Sequence, residues 1–137
     1  MERLEVKAEE AMANGDLNGA TLAIGRAALM ASVLAKKEIN SQAQLVYEGA
    51  EDLFRTQENA YRALALFEQA GGQAPAPFGV CQLLSLSEKH GISATKKLNQ
   101  VTPGSGGNIR EFYDRLLEKT SEWLQIVHNL RADFSCT

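Results

Sequence analysis

The chain has 137 residues, of which 45% are hydrophobic and 23% charged, and a formal net charge of -3 at pH 7. These values describe one folded domain with a core of its own and exclude a low-hydrophobicity disordered chain. The acidic balance excludes a general attraction to nucleic acid or to an anionic membrane surface.

Residues 2–13 predict a short helix with Leu4, Ala8 and Ala11 on one side. Asn14-Gly15-Asp16 stops it: Gly15 suits a left-handed C-cap and Asp16 can N-cap the next helix. That second helix spans 17–37, with the inner series Leu17, Ala20, Ile24, Ala27, Ala31 and Leu34. A second stripe, Leu22, Leu29 and Val33, lies on another side, so the pattern predicts a central helix, apolar around much of its circumference. Thr21–Ala35 is interrupted by Gly25, Arg26 and Ser32 and reads as core rather than as a membrane span. Lys36 and Lys37 suit the C-terminal end of the helix dipole.

Ile39, Ala43, Val46, Ala50, Leu53, Gln57, Ala60, Leu64, Phe67 and Gly71 keep a 4-3-4-3 spacing. That 3.5-residue period holds one seam of a long helix against a neighbour. Ser41 with Gln44 has the capping-box pattern and places the helix start there. Glu51 with Arg55, and Glu58 with Arg62, are i,i+4 pairs that mark the wet face. Gly71-Gly72 closes the helix, and residues 73–77 (QAPAP) read as an extended linker.

Residues 79–90 predict a shorter helix with Gly91 as its C-cap, and Ser93 begins another to about 100. The stretch 102–107 is rich in glycine and reads as a loop. Asn108 with Glu111 repeats the cap pattern. The last helix carries Ile109, Tyr113, Leu116, Thr120, Trp123, Val127, Leu130 and Phe134 as its seam, flanked by Leu117 and Leu124. No strand alternation appears. The fold class is all-α: an antiparallel helical bundle of three long helices plus a short helical hairpin at 79–100. It forms one domain over 1–137, with flexible connections at 72–78 and 101–107. Ala8-x-x-Ala11-x-x-x-Gly15-Asp16 and Ala60-Tyr61-x-Ala63-Leu64-x-x-Phe67 resemble helix-turn-helix pairs of the tetratricopeptide type, an alternative for 8–70, but the chain lacks a 34-residue self-similarity.

Cys81 and Cys136 lie far apart and in no CxxC or Cys/His cluster. Two such thiols fit a reducing, cytoplasmic compartment. The N-terminal residues lack the apolar stretch of a signal peptide.

Four features are candidates for function. Tyr47, Phe54 and Tyr61 form an aromatic stripe at sevenfold spacing beside the seam. It can receive a partner helix or a second copy, or it can simply widen the core face. Ile126-Val127-His128-Asn129-Leu130-Arg131 resembles the phosphoacceptor box of sensor histidine kinases, and loosely that of histidine phosphotransfer domains. The resemblance implies an exposed His128 acting as a phosphate nucleophile in a phosphorelay. The chain departs from it: residues 132–137 hold no Pro, Ala132 stands in place of Gly, and the sequence has no ATP-binding domain.

Leu86-Ser87-Glu88-Lys89-His90-Gly91-Ile92-Ser93 resembles the turn of a helix-turn-helix DNA reader. It implies a small DNA-contacting regulator with Lys89, Lys96 and Lys97 on phosphates. Lys97 and Gln100 stand where that pattern has inner apolar residues. The loop Gly104-Ser105-Gly106-Gly107 precedes a helix start, where backbone N–H groups can hold an anion, but no strand and no lysine complete a P-loop. Metal spacings of zinc or di-iron type are absent, and Asp114 with Glu118 lies on a charged helix face. The expectation is a non-enzymatic helical interaction module, an adaptor, chaperone or regulator, with a protein partner or a homodimer and without catalytic residues, cofactor, metal, nucleic acid or membrane.

Overall fold

The computed structural model describes residues 1–72, 78–102 and 108–136, except for the Asn108 side chain. The expected linkers at 73–77 and 103–107, the anion loop at 104–107 and the Asn108 cap therefore lie outside the described residues. Among the described residues five helices succeed one another: α1 (Glu2–Ala13), α2 (Leu17–Lys37), α3 (Ser41–Gln69), α4 (Phe78–Asn99) and α5 (Asn108–Asp133). The described residues hold no strand.

Local chemistry sets the helix ends. Gly15 has φ 77°, and the Asp16 carboxylate accepts from the Gly19 N–H at 2.9 Å. The α3 cap is Asn40 rather than Ser41: its side chain accepts from the N–H groups of Gln42 (2.9 Å) and Ala43 (3.1 Å). Gly71 and Gly72, at φ 96° and 68°, turn the chain out of α3.

The long helix α3 is the centre of the fold. Helices α2 and α4 flank it, α1 packs on α2, and α5 lies against α3 and α4. The ring pairs Tyr47–Phe112, Tyr61–Trp123 and Phe67–Phe134 advance together along both helices, so α5 runs parallel to α3. Thr56 meets Ser87, and Leu66 meets Gly79, so α4 runs the opposite way. The main core joins the α2 alanines and Ile24 to Val46, Leu53, Phe54, Leu98 and Leu116. A second cluster, Ala60, Ala63, Val80, Leu84 and Val127, fills the end where Phe67 meets Phe134.

Several expectations are corrected. The 79–100 hairpin does not exist, because α4 is one continuous helix. Gly91 is buried in its middle, where an added Cβ would lie 2.5 Å from Leu124 Cδ2. The glycine admits α5 at close range instead of ending a helix, and the described residues form four long helices and one short one. Helix α2 is not central. Its alanine side packs on α1 and α3, while Leu22, Leu29 and Val33 remain 58%, 59% and 48% exposed. Ile39 leaves the seam altogether: it stands in the α2–α3 connection, 99% exposed. By length and composition α2 is also apolar enough to cross a membrane, a test that core helices pass too, and here its inner side is buried.

Cys81 and Cys136 form a disulfide with a Cα–Cα distance of 5.5 Å. The start of α4 and the residues after α5 meet at the same end of the bundle because α4 and α5 are antiparallel. The reading of two separate thiols in a reducing compartment loses its premise.

Candidate functional site

The aromatic stripe is brought together but not left open. Phe54 and Tyr61 are buried, and Tyr47 is half-buried. Helix α5 covers the stripe: Tyr47 meets Phe112 at 6.1 Å, and Tyr61 meets Trp123 edge-on at 5.4 Å. Burial pushes the Tyr61 phenol up to about 12, a nearby Glu9 adds to the rise, and a hydrogen bond with Gln57 opposes it. Gln57, the polar interruption of the seam, is buried with its Oε1 unpartnered among the described residues.

His128 is exposed on α5, and no hydrogen bond or ion pair engages it among the described residues. Lys89 and Lys96 are exposed on α4, but Lys97 donates to Asp52 at 2.8 Å. With the hairpin absent, these lysines belong to one continuous helix, and among the described residues no second helix of a hairpin stands beside them.

Asp52 is the residue that sequence reasoning missed. It lies on α3 and faces α4, where His90, Ser93 and Lys97 succeed one another at 3-4 spacing on one side. That spacing is legible in the sequence once Gly91 is not read as a stop. One hydrogen bond of 2.9 Å joins His90 Nδ1–H to Asp52 Oδ1, and Ser93 Oγ donates to Oδ2 at 2.7 Å. Burial alone would push the Asp52 carboxyl up. The bonds from Lys97, His90 and Ser93 and the Lys97 charge outweigh it and hold the carboxyl below its ordinary value. Serine and histidine both spend their bonds on the same carboxylate, so this is not a nucleophile oriented by its base. The cluster clamps α4 to α3.

A second polar cluster joins α1 to α5. The buried Glu5 carboxylate accepts from Lys119 Nζ at 3.1 Å and from Arg115 Nη2 at 3.3 Å, and Lys119 also reaches Glu9 at 3.0 Å. Burial alone would lower the Lys119 ammonium, but the two glutamates win and raise it.

The outer side of α2 carries a row of exposed apolar side chains. Leu22, Leu29 and Val33 line up along it with Met30 beside them and Arg26 between, all exposed. A groove of about 400 Å³ runs between this face and α3, with Leu22, Arg26 and Leu29 on one wall and Arg55, Glu58 and Arg62 on the other. The expected Glu51–Arg55 and Glu58–Arg62 pairs are replaced by Arg55–Glu58 at 2.8 Å. Arg62 is thereby exposed without an ion pair among the described residues. Local spacing places Leu22, Leu29 and Val33 on their own stripe, yet only the positions of the other helices leave it exposed among the described residues.

Among the described residues these features define an all-α protein whose polar clusters join α4 to α3 and α1 to α5. Comparison with protein families, curated proteins and solved structures returns no match for this chain.

Proposed function

We propose that the protein is a non-enzymatic interaction module, an adaptor or regulator, which docks a helix of a partner protein along the outer face of α2. The observation that carries this reading is the row Leu22, Leu29, Met30 and Val33, exposed along 12 positions of one helix. Several large apolar side chains exposed on one side of one helix are what interaction sites present. The groove beside it supplies depth for inserted side chains. The docking surface is thus moved from Tyr47, Phe54 and Tyr61 on α3, which α5 occupies, to the outer side of α2. A phosphorelay role is supported by the exposure of His128 alone. The disulfide supports an oxidising compartment over the cytoplasm.

Light scattering coupled to size exclusion tests the reading, with a Leu22→Glu/Leu29→Glu variant alongside. The expected result is a monomer for both proteins, with equal helicity and equal urea midpoints. A wild-type dimer dissolved by the double variant would put a second copy on the face and overturn docking of a foreign helix. A large loss of stability in the variant would show that the face serves the fold, and would sink the proposal.

A further inference from the structure

We infer that the partner segment is an acidic amphipathic helix of about four turns, seated in the trough over α3 between α2 and α4. This inference rests on the docking reading, seats the helix on the Leu22 and Leu29 side of that row, and adds the chemistry of the occupant.

The trough is longer than the groove beside α2. A second hollow of about 350 Å³ continues it toward α4 and shares Asn18, Thr21 and Arg62 with the first. Leu66 and Leu83 line this far end, as Leu22 and Leu29 line the near one. Along α3 the two hollows extend from Arg55 to Gln69, about 21 Å at the rise of a helix, or about four turns. An amphipathic helix laid there meets apolar walls at both ends, which fits anchors spaced i, i+3 or i+4, and i+7.

Charge selects the flanks of that helix. The chain as a whole carries -3, yet the groove beside α2 presents three arginines and one glutamate. Glu58 is engaged by Arg55 at 2.8 Å. Arg26 on α2 and Arg62 on α3 carry no ion pair among the described residues, and both are exposed. They stand on opposite walls of the groove, so an occupant is bracketed by two planar guanidinium forks. Carboxylates are the side chains that satisfy such forks bidentately. An occupant with lysines at its flanks meets repulsion from both walls.

A displayed library of 16-residue amphipathic helices tests this directly. Its apolar stripe is kept, and its flanking positions are free to be Glu, Gln or Lys. The bait proteins are wild type, Arg26→Ala/Arg62→Ala and Leu22→Ser/Leu29→Ser, each first shown to be folded. The expected result is enrichment of glutamate at flanking positions on wild type and loss of that preference on the arginine variant. The selected peptides should bind wild type about tenfold more tightly than the arginine variant at low salt, a difference that shrinks as salt rises. Enrichment without a glutamate preference would overturn the acidic partner and leave the docking reading standing. Enrichment that survives Leu22→Ser/Leu29→Ser would overturn the docking reading at this face, and no enrichment would overturn both. Co-sedimentation with vesicles of anionic lipid, dependent on Leu22 and Leu29 and unaccompanied by helix enrichment, would assign the face to a membrane and reject the proposal.

Discussion

At the scale of single residues, glycines and one carboxylate decide how closely the helices meet. An added Cβ at Gly49 would lie 2.7 Å from Leu98 Cδ2 and 2.8 Å from Leu98 Cγ, and Leu98 is buried with no room to move. Gly49→Ala gains helix propensity but overpacks α3 against α4. The expected net effect is a loss of about 1–2 kcal/mol in urea unfolding. Gly25→Ala has the opposite sign. Its Cβ would meet Glu58 Oε2, the tip of a flexible side chain at the groove. That side chain swings away, and the variant should gain up to about 1 kcal/mol in the same assay. Asp52 belongs to this scale too. Its carboxyl is held below its ordinary value, so the folded state binds its proton less readily than the unfolded chain. The stability it contributes is present above about pH 4, the unfolded value, and is lost as pH falls through the lower folded value. Asp52→Asn should cost about 1–3 kcal/mol at pH 7 and show a weaker fall in urea midpoint below about pH 4 than wild type. An unchanged acid profile would show that the clamp does not stabilise the fold.

At the scale of elements, packing and polar bridging contribute differently from one helix pair to the next, and α3 with α4 uses both. Helices α2, α3 and α4 lie side by side and meet through small residues and aliphatic side chains. The pair α1 and α5 is joined instead by long charged side chains, with Lys119 between Glu5 and Glu9. The raised Lys119 value means that its contribution is complete below about pH 10.5 and is lost as pH rises through the folded value. Lys119→Met should leave Glu5 with Arg115 alone and loosen α1 before the rest of the fold. Amide exchange in residues 2–13 should speed up about tenfold or more, with little change in α3. Uniform exchange across all five helices would show that α1 is not a separate unit of stability.

At the scale of the whole molecule, the order of helices brings distant segments together. The up-down course from α2 to α5 returns the end of the described chain to the start of α4, and the Cys81–Cys136 link closes a loop with sequence separation 55. Reduction, or Cys81→Ser, should lower unfolding free energy by about 2–4 kcal/mol, since the cross-link restricts the unfolded chain. Urea curves with and without reductant measure this. Labelling of the unreduced, denatured protein should find no free thiol, and two labelled cysteines would refute the link. The same arrangement leaves α2 at the edge of its layer, with its outer face available and the face toward α1 and α3 filled.

Much of the fold was legible from local pattern alone. Period fixes which side of a helix is inward, so Ala43 to Phe67 and Ile109 to Phe134 could be read as seams, and Gly15, Asp16, Gly71 and Gly72 as ends. Those signals are local because caps and helix periodicity involve residues within a turn or two of one another. The sequence by itself determined the all-α class, the length of α3 and the existence of an apolar stripe on α2. Tertiary structure decided the rest, because burial depends on what stands opposite. Only the approach of Leu124 distinguishes Gly91 in a continuous helix from Gly91 at a turn. Only the seat of α5 covers Tyr47, Phe54 and Tyr61. Only the lack of a further neighbour among the described residues leaves Leu22, Leu29 and Val33 in the open, beside two arginines that no local spacing would pair.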